Sequence, residues 1–229
     1  MIWLLFPLTL VIYYLSVRLY RRFPNPLLAP FLVSLVIIIA ILLILGISYP
    51  SYAKATKPLT FLLEPGIVAL AYPLFTSLAE VRRQFIPIIT CVLVGAIVGI
   101  IVSVGVLYLL KGNAVMLATI APRAVTTPIA MEVSKTLGGK PGLTASLVII
   151  AGLFGSVGGF PLFKLLRIHS EAAMGMALGS ASHALGTAKA TEINPKIAAF
   201  SSIALILSAI ATALLAPVIQ LGIHWLTKS

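Results

Sequence analysis

Residues 122–130 read Pro-Arg-Ala-Val-Thr-Thr-Pro-Ile-Ala. A guanidinium, two hydroxyls and two helix-breaking prolines stand together in a chain that is 60% hydrophobic and 9% charged. Arg123 is costly at membrane depth, where polar and ionised groups survive only against protein or a water-filled cavity. Facing such a cavity, it can grip a carboxylate through a bidentate fork. The alternative is that it snorkels to a nearby interface. Thr126 and Thr127 add hydroxyls, and Pro128 prevents a regular hydrogen-bond ladder. Amides freed at the break can also face an anion.

A second constellation is Gly179-Ser180-Ala181-Ser182-His183-Ala184-Leu185-Gly186-Thr187-Ala188. A histidine ordinarily titrates near neutrality, so His183 suits a proton carrier or a substrate ligand; the alternative is a buried neutral ring held by a hydroxyl. Ser182 and Thr187 supply hydroxyls, and Gly186 permits a break. Glu64, before Pro65, is a candidate proton-coupling acid, or a partner of Lys57. Tyr72-Pro73 adds a further break. Lys189 and Glu192 read as an interfacial pair. The lone Cys91 has no disulfide partner, no metal-ligand spacing is visible, and no nucleophile–base pair supports an enzyme, so neither cofactor nor metal is expected.

These residues need membrane elements to position them. The 229 residues hold sixteen Lys and Arg against five acids, a formal charge of +11. The cations stand singly or in pairs between apolar runs, without aromatic interleaving. They read as loop charges facing lipid headgroups, not as a nucleic-acid surface. Crossing the hydrocarbon takes about 20 helical residues. The apolar runs 2–20, 27–48, 58–79, 85–110, 141–165 and 197–225 meet that need. The segments 113–137 and 170–190 are rich in Gly, Ala, Ser, Thr and Pro, and read as broken spans or re-entrant hairpins. The fold class is therefore an all-α membrane protein, a polytopic bundle of about seven or eight segments. Residues 1–229 form one transmembrane domain. The first run reads as a retained span, because Arg18, Arg21 and Arg22 follow it rather than precede it.

Ser34–Ile38 recurs as Ser146–Ile150, 112 positions later. That offset lays the interrupted segment 58–79 over 170–191, as an internal two-fold repeat of 1–112 and 113–229 would. Loop cations divide almost evenly whether or not 113–137 crosses, so the charges assign no orientation. Glycine pairs four apart, Gly95/Gly99, Gly155/Gly159 and Gly175/Gly179, let helix backbones approach closely. A homo-oligomer is expected.

The motifs P-R-A-V-T-T-P-I-A at 122–130, S-H-A-L-G-T-A at 182–188 and A-L-A-Y-P-L at 69–74 resemble those of the LrgB/CidB family, especially its YohK-like members. The resemblance covers essentially the whole chain. It implies a multi-pass protein of the bacterial inner membrane, with a small LrgA/CidA/YohJ-like membrane protein as partner. It further implies either carriage of small carboxylates, such as pyruvate, lactate or glycolate, or a holin- or antiholin-like control of murein hydrolase activity and lysis. The LrgB module of the plastid glycolate/glycerate translocator is similar. Carried onto this chain, the motifs point to Arg123, Thr126, Thr127, Pro128, Ser182, His183, Gly186 and Thr187 as substrate-binding residues. Two departures stand out. The family more often has Lys-Ser where this chain has Arg123-Ala124, which keeps the cation and loses a hydroxyl. The position of Glu64 is not usually acidic.

Overall fold

A computed structural model describes residues 4–23, 28, 30–62, 75 and 78–228. Glu64, Pro65, Tyr72 and Pro73 lie outside the described residues. So does most of 58–79, the first-half member of the proposed 112-residue repeat. The chain falls into two compact units, Met1–Ala69 and Leu70–Ser229. Among the described residues every regular element is helical.

The first unit contains α1 (Leu5–Arg22), α2 (Pro30–Ile44), α3 (Tyr49–Ala55) and α4 (Lys57–Phe61). Hydroxyls inside these apolar helices return to their own backbone: Ser16 donates to the Ile12 carbonyl and Ser34 to that of Pro30. The Thr9 and Tyr52 hydroxyls, 3.1 Å apart, join α1 to α3.

The second unit contains α5 (Leu78–Arg83), α6 (Phe85–Leu109), α7 (Ala114–Ile120), α8 (Thr127–Thr136), α9 (Pro141–Leu165), α10 (Glu171–Ile193) and α11 (Pro195–Lys228). Among the described residues, α6, α9 and α11 are the three helices long and apolar enough to cross a membrane. They follow the apolar runs 85–110, 141–165 and 197–225 within a few residues. α6 and α11 run parallel. Ile88 and Val92 pack with Phe200 and Ala204, and Val104 packs with Ala216 and Ile219.

Between these spans, both interrupted segments double back. α7 starts at Asn113, whose side chain caps the Met116 amide, and runs back along α6. The chain breaks at 121–126 and returns as α8. Its end comes home to α7: the Lys140 amide donates to the Thr119 hydroxyl at 2.9 Å. Gly138 has φ +80°, and a Cβ on Gly139 would lie 2.9 Å from the Thr119 nitrogen, so glycine is needed at this return. The buried Thr144 hydroxyl ties both arms to α9. It donates to the Thr119 carbonyl at 2.9 Å and lies 2.7 Å from the Ser134 hydroxyl.

α10 reverses at His183, where φ is 41° and ψ −132°, a conformation that L-residues seldom adopt. A Cβ on Gly186 would stand 2.8 Å from the Leu178 carbonyl. Eight residues of unbroken helix would place those positions about 12 Å apart. The second arm ends beside the start of the first: the Asn194 amide donates to Glu171 at 2.7 Å, and Lys196 pairs with Glu171 at 3.4 Å.

The hairpins enter from opposite ends of α9. The first meets it at Thr144, near its start; the second meets it at Gly159 and Phe163, near its end. Both tips reach Val148, the eighth of its 25 residues. The His183 ring bonds the Val148 carbonyl at 2.9 Å, while Val125 of the first tip joins Val148, Ala130 and Ala209 in one buried cluster. A hairpin followed by a span thus occurs twice, and the two spans are antiparallel: Val148 lies with Ala209, and Phe163 with Ile197 and Ala198.

Close approach makes this packing possible. A Cβ on Gly179 would collide with the Ser201 backbone carbonyl, which cannot rotate away. Gly158 has open space. Gly179→Ala is expected to lower stability by ~1–3 kcal/mol, read as a lower thermal midpoint in detergent, whereas Gly158→Ala leaves that midpoint in place.

Candidate functional site

The site follows from the position of the tips. In the first, residues 121–126 leave helical geometry and Arg123 closes a turn through its amide, which donates to the Ile120 carbonyl at 3.1 Å. Its side chain crosses to α6, where Nε donates to the Ser103 hydroxyl at 2.6 Å. That hydroxyl donates in turn to the Gly99 carbonyl at 2.5 Å. The guanidinium is thereby held at Nε while both Nη groups stay open, since Nε makes its only hydrogen bond among the described residues.

Arg123 is half-buried and lines a cavity of about 380 Å³. Cys91, Gly95 and Gly99 of α6 form one wall, and Ser180 and Ala181 of the second hairpin lie on another. Small side chains leave the space empty, and Arg123 is the one charged group in its lining among the described residues. The carboxylate partner that a buried Arg suggests is not found among the described residues. Glu132 pairs with Lys135 at 3.9 Å, Glu171 with Lys196 at 3.4 Å, and Glu192 with Lys189 at 2.8 Å. The last of these is the pairing expected from sequence. A half-buried guanidinium with open donors beside an empty cavity can take a small anion from it.

The other expected residues lie close by but play different parts here. Thr126 and Thr127 are half-buried; Thr126 holds the extended residue before α8 without a side-chain cap bond. Pro128 is exposed. Ser182, His183, Gly186 and Thr187 are all buried and do not line the Arg123 cavity. His183 is locked by Val148, and its carbonyl accepts from the Thr187 hydroxyl at 2.9 Å. Thr187 and Ser201 hydroxyls lie 2.8 Å apart. Ser182 faces Gly155, where a Cβ would overlap its side chain. These four residues form the turn that brings Ser180 and Ala181 to the cavity. Ser103, Ser180 and Ala181 were not singled out as site residues. Ser103 sits in an uninterrupted apolar run twenty positions before Arg123, so only tertiary structure reveals it. Among the described residues no three of His, Cys, Asp and Glu gather as a metal-binding group.

A family model for the LrgB-like family matches residues 9–221. The chain belongs to the LrgB family. Among its relatives, Holin-like protein CidB of Staphylococcus epidermidis is 36% identical over 214 residues, 93% of each chain. Holin-like protein CidB of Staphylococcus aureus is 38% identical over the same length and shares. Protein YxaC of Bacillus subtilis is 39% identical over 218 residues, 95% of this chain and 94% of its own. No solved structure matches the chain. Family and helices together make this a membrane protein.

Ser103→Ala removes the only described partner of Arg123 Nε. Hydrogen bonds to charged groups contribute about 1.5–3 kcal/mol, and a loss of that order is expected in unfolding measurements. Ser103→Thr keeps the hydroxyl and most of the stability.

Proposed function

We propose that the protein acts as a holin-like membrane protein, together with a small LrgA/CidA/YohJ-like partner, in control of murein hydrolase activity and lysis. The observation that carries this reading is the kinship with proteins named Holin-like protein CidB, at 36–38% identity over 93% of both chains. The setting is a bacterial inner membrane, crossed or entered by seven or eight segments. This reading includes a homo-oligomer.

One observation favours a second reading, carriage of small monocarboxylates of the pyruvate, lactate or glycolate kind. It is the Arg123 guanidinium, open at both Nη groups, in a cavity between two opposed hairpin tips. Opposed, interrupted helices around a mid-membrane site suit alternating access. In this reading Arg123 binds the carboxylate. Thr126, Thr127 and Pro128 shape the first tip, and Ser182, His183, Gly186 and Thr187 the second. His183 or Glu64 would carry a coupled proton. The comparisons weigh towards the holin-like role, and the cavity towards carriage.

Two measurements separate them. In proteoliposomes, a labelled monocarboxylate panel should show uptake that Arg123→Gln lowers at least tenfold; no uptake of any member rejects carriage. In cells producing the small partner, removing this chain should change the autolysis rate; an unchanged rate rejects the holin-like role.

A further inference from the structure

An apolar groove runs between the C-terminal halves of α6 and α11, away from the Arg123 cavity. Its volume is about 450 Å³. It extends from Ile97 to Gly105 on α6 and from Leu215 to Leu226 on α11. Gly105 and Gly222 give it depth, since a Cβ on either would meet nothing within 4 Å. Ile101 and Val218 on its rims are 63% and 62% exposed, so the groove opens outward.

Its length and position say what fits. At 1.5 Å per residue it covers about 12 Å of α6 and about 16 Å of α11. One leaflet of hydrocarbon is about 15 Å deep. Ile97 is the central residue of α6, and the groove ends where both parallel helices end. It therefore spans one leaflet, from mid-membrane to the interface. A single acyl chain matches that depth.

The interfacial end carries the matching headgroup chemistry. Tyr108 and Trp225 stand at that level as membrane-interface aromatics, both exposed. Lys111 follows α6, exposed and without an ion pair among the described residues. We infer that this groove binds one phospholipid with an anionic headgroup. One acyl chain lies along Gly105 and Gly222, and the phosphate end rests by Lys111. Packing against bare apolar backbone fixes the chain, and the cation selects the headgroup.

Native mass spectrometry of the full chain in detergent tests this, with phosphatidylglycerol and phosphatidylcholine of identical acyl chains as competing probes. The expected result is a bound phosphatidylglycerol favoured about fivefold, the effect of one lysine at a membrane surface. Gly222→Trp should remove the adduct of either lipid by filling the groove. Lys111→Gln should keep an adduct and lose the preference. Equal retention of the two lipids by the unsubstituted protein, a preference that survives both substitutions, or dimers in place of lipid adducts would each overturn the assignment.

Discussion

The second unit rests on one constraint: a helix broken at membrane depth must have its freed polar groups satisfied by protein. Val148, in the first half of α9, touches both breaks. Its carbonyl holds the His183 ring at the reversal of α10, and its side chain seals the cluster containing Val125 from the other break. The reversal also needs Thr187, whose hydroxyl bonds the His183 carbonyl, and Ser201 behind it. This hydroxyl network braces the strained backbone at His183.

Glycine supplies the other half of that constraint. Lipid gives helices no hydrophobic reason to associate, so close backbone contact has to do so. Gly152 and Gly155 of α9 leave room for the His183 ring and for Ser182. Gly175 and Gly179 let the first arm of α10 touch the backbone of α11. The hairpin is wedged between two spans by the absence of side chains. The same device keeps the Arg123 cavity open, because Gly95, Gly99, Ala124, Ala177 and Ala181 fill so little of it. An arginine whose Nη groups meet no partner among the described residues would be hard to explain as packing. Beside a cavity it has a use.

Much of this was legible in the sequence. The spans α6, α9 and α11 are continuous apolar runs, and the prolines at 122 and 128 announce the first break. The polarity of 170–190 announces the second, but not its location. His183 has neither proline nor glycine beside it, and its ring is held by Val148, thirty-five residues earlier. Because the reversal falls there, Ser180 and Ala181 face the cavity while Ser182, His183 and Thr187 turn into protein. Their residue types suggest a ligand site, and only the helical phase before the break decides which of them reach it. Ser103 was hidden for a different reason. A serine in an apolar span usually bonds its own backbone, as Ser16 and Ser34 do. Ser103 does so as well, and its oxygen also accepts from Arg123 Nε.

The central claim is that the two tips enclose a water-reached, positively charged cavity. Cys91, the single cysteine of the chain, lies in its wall and reports on it directly. The measurement is the rate at which Cys91 reacts, in membranes, with two water-soluble thiosulfonates, one bearing a sulfonate and one a quaternary ammonium. The account predicts modification by both, faster with the sulfonate, and loss of that preference in Arg123→Gln. Reaction with a membrane-permeant maleimide but with neither charged reagent would place Cys91 in lipid and contradict it.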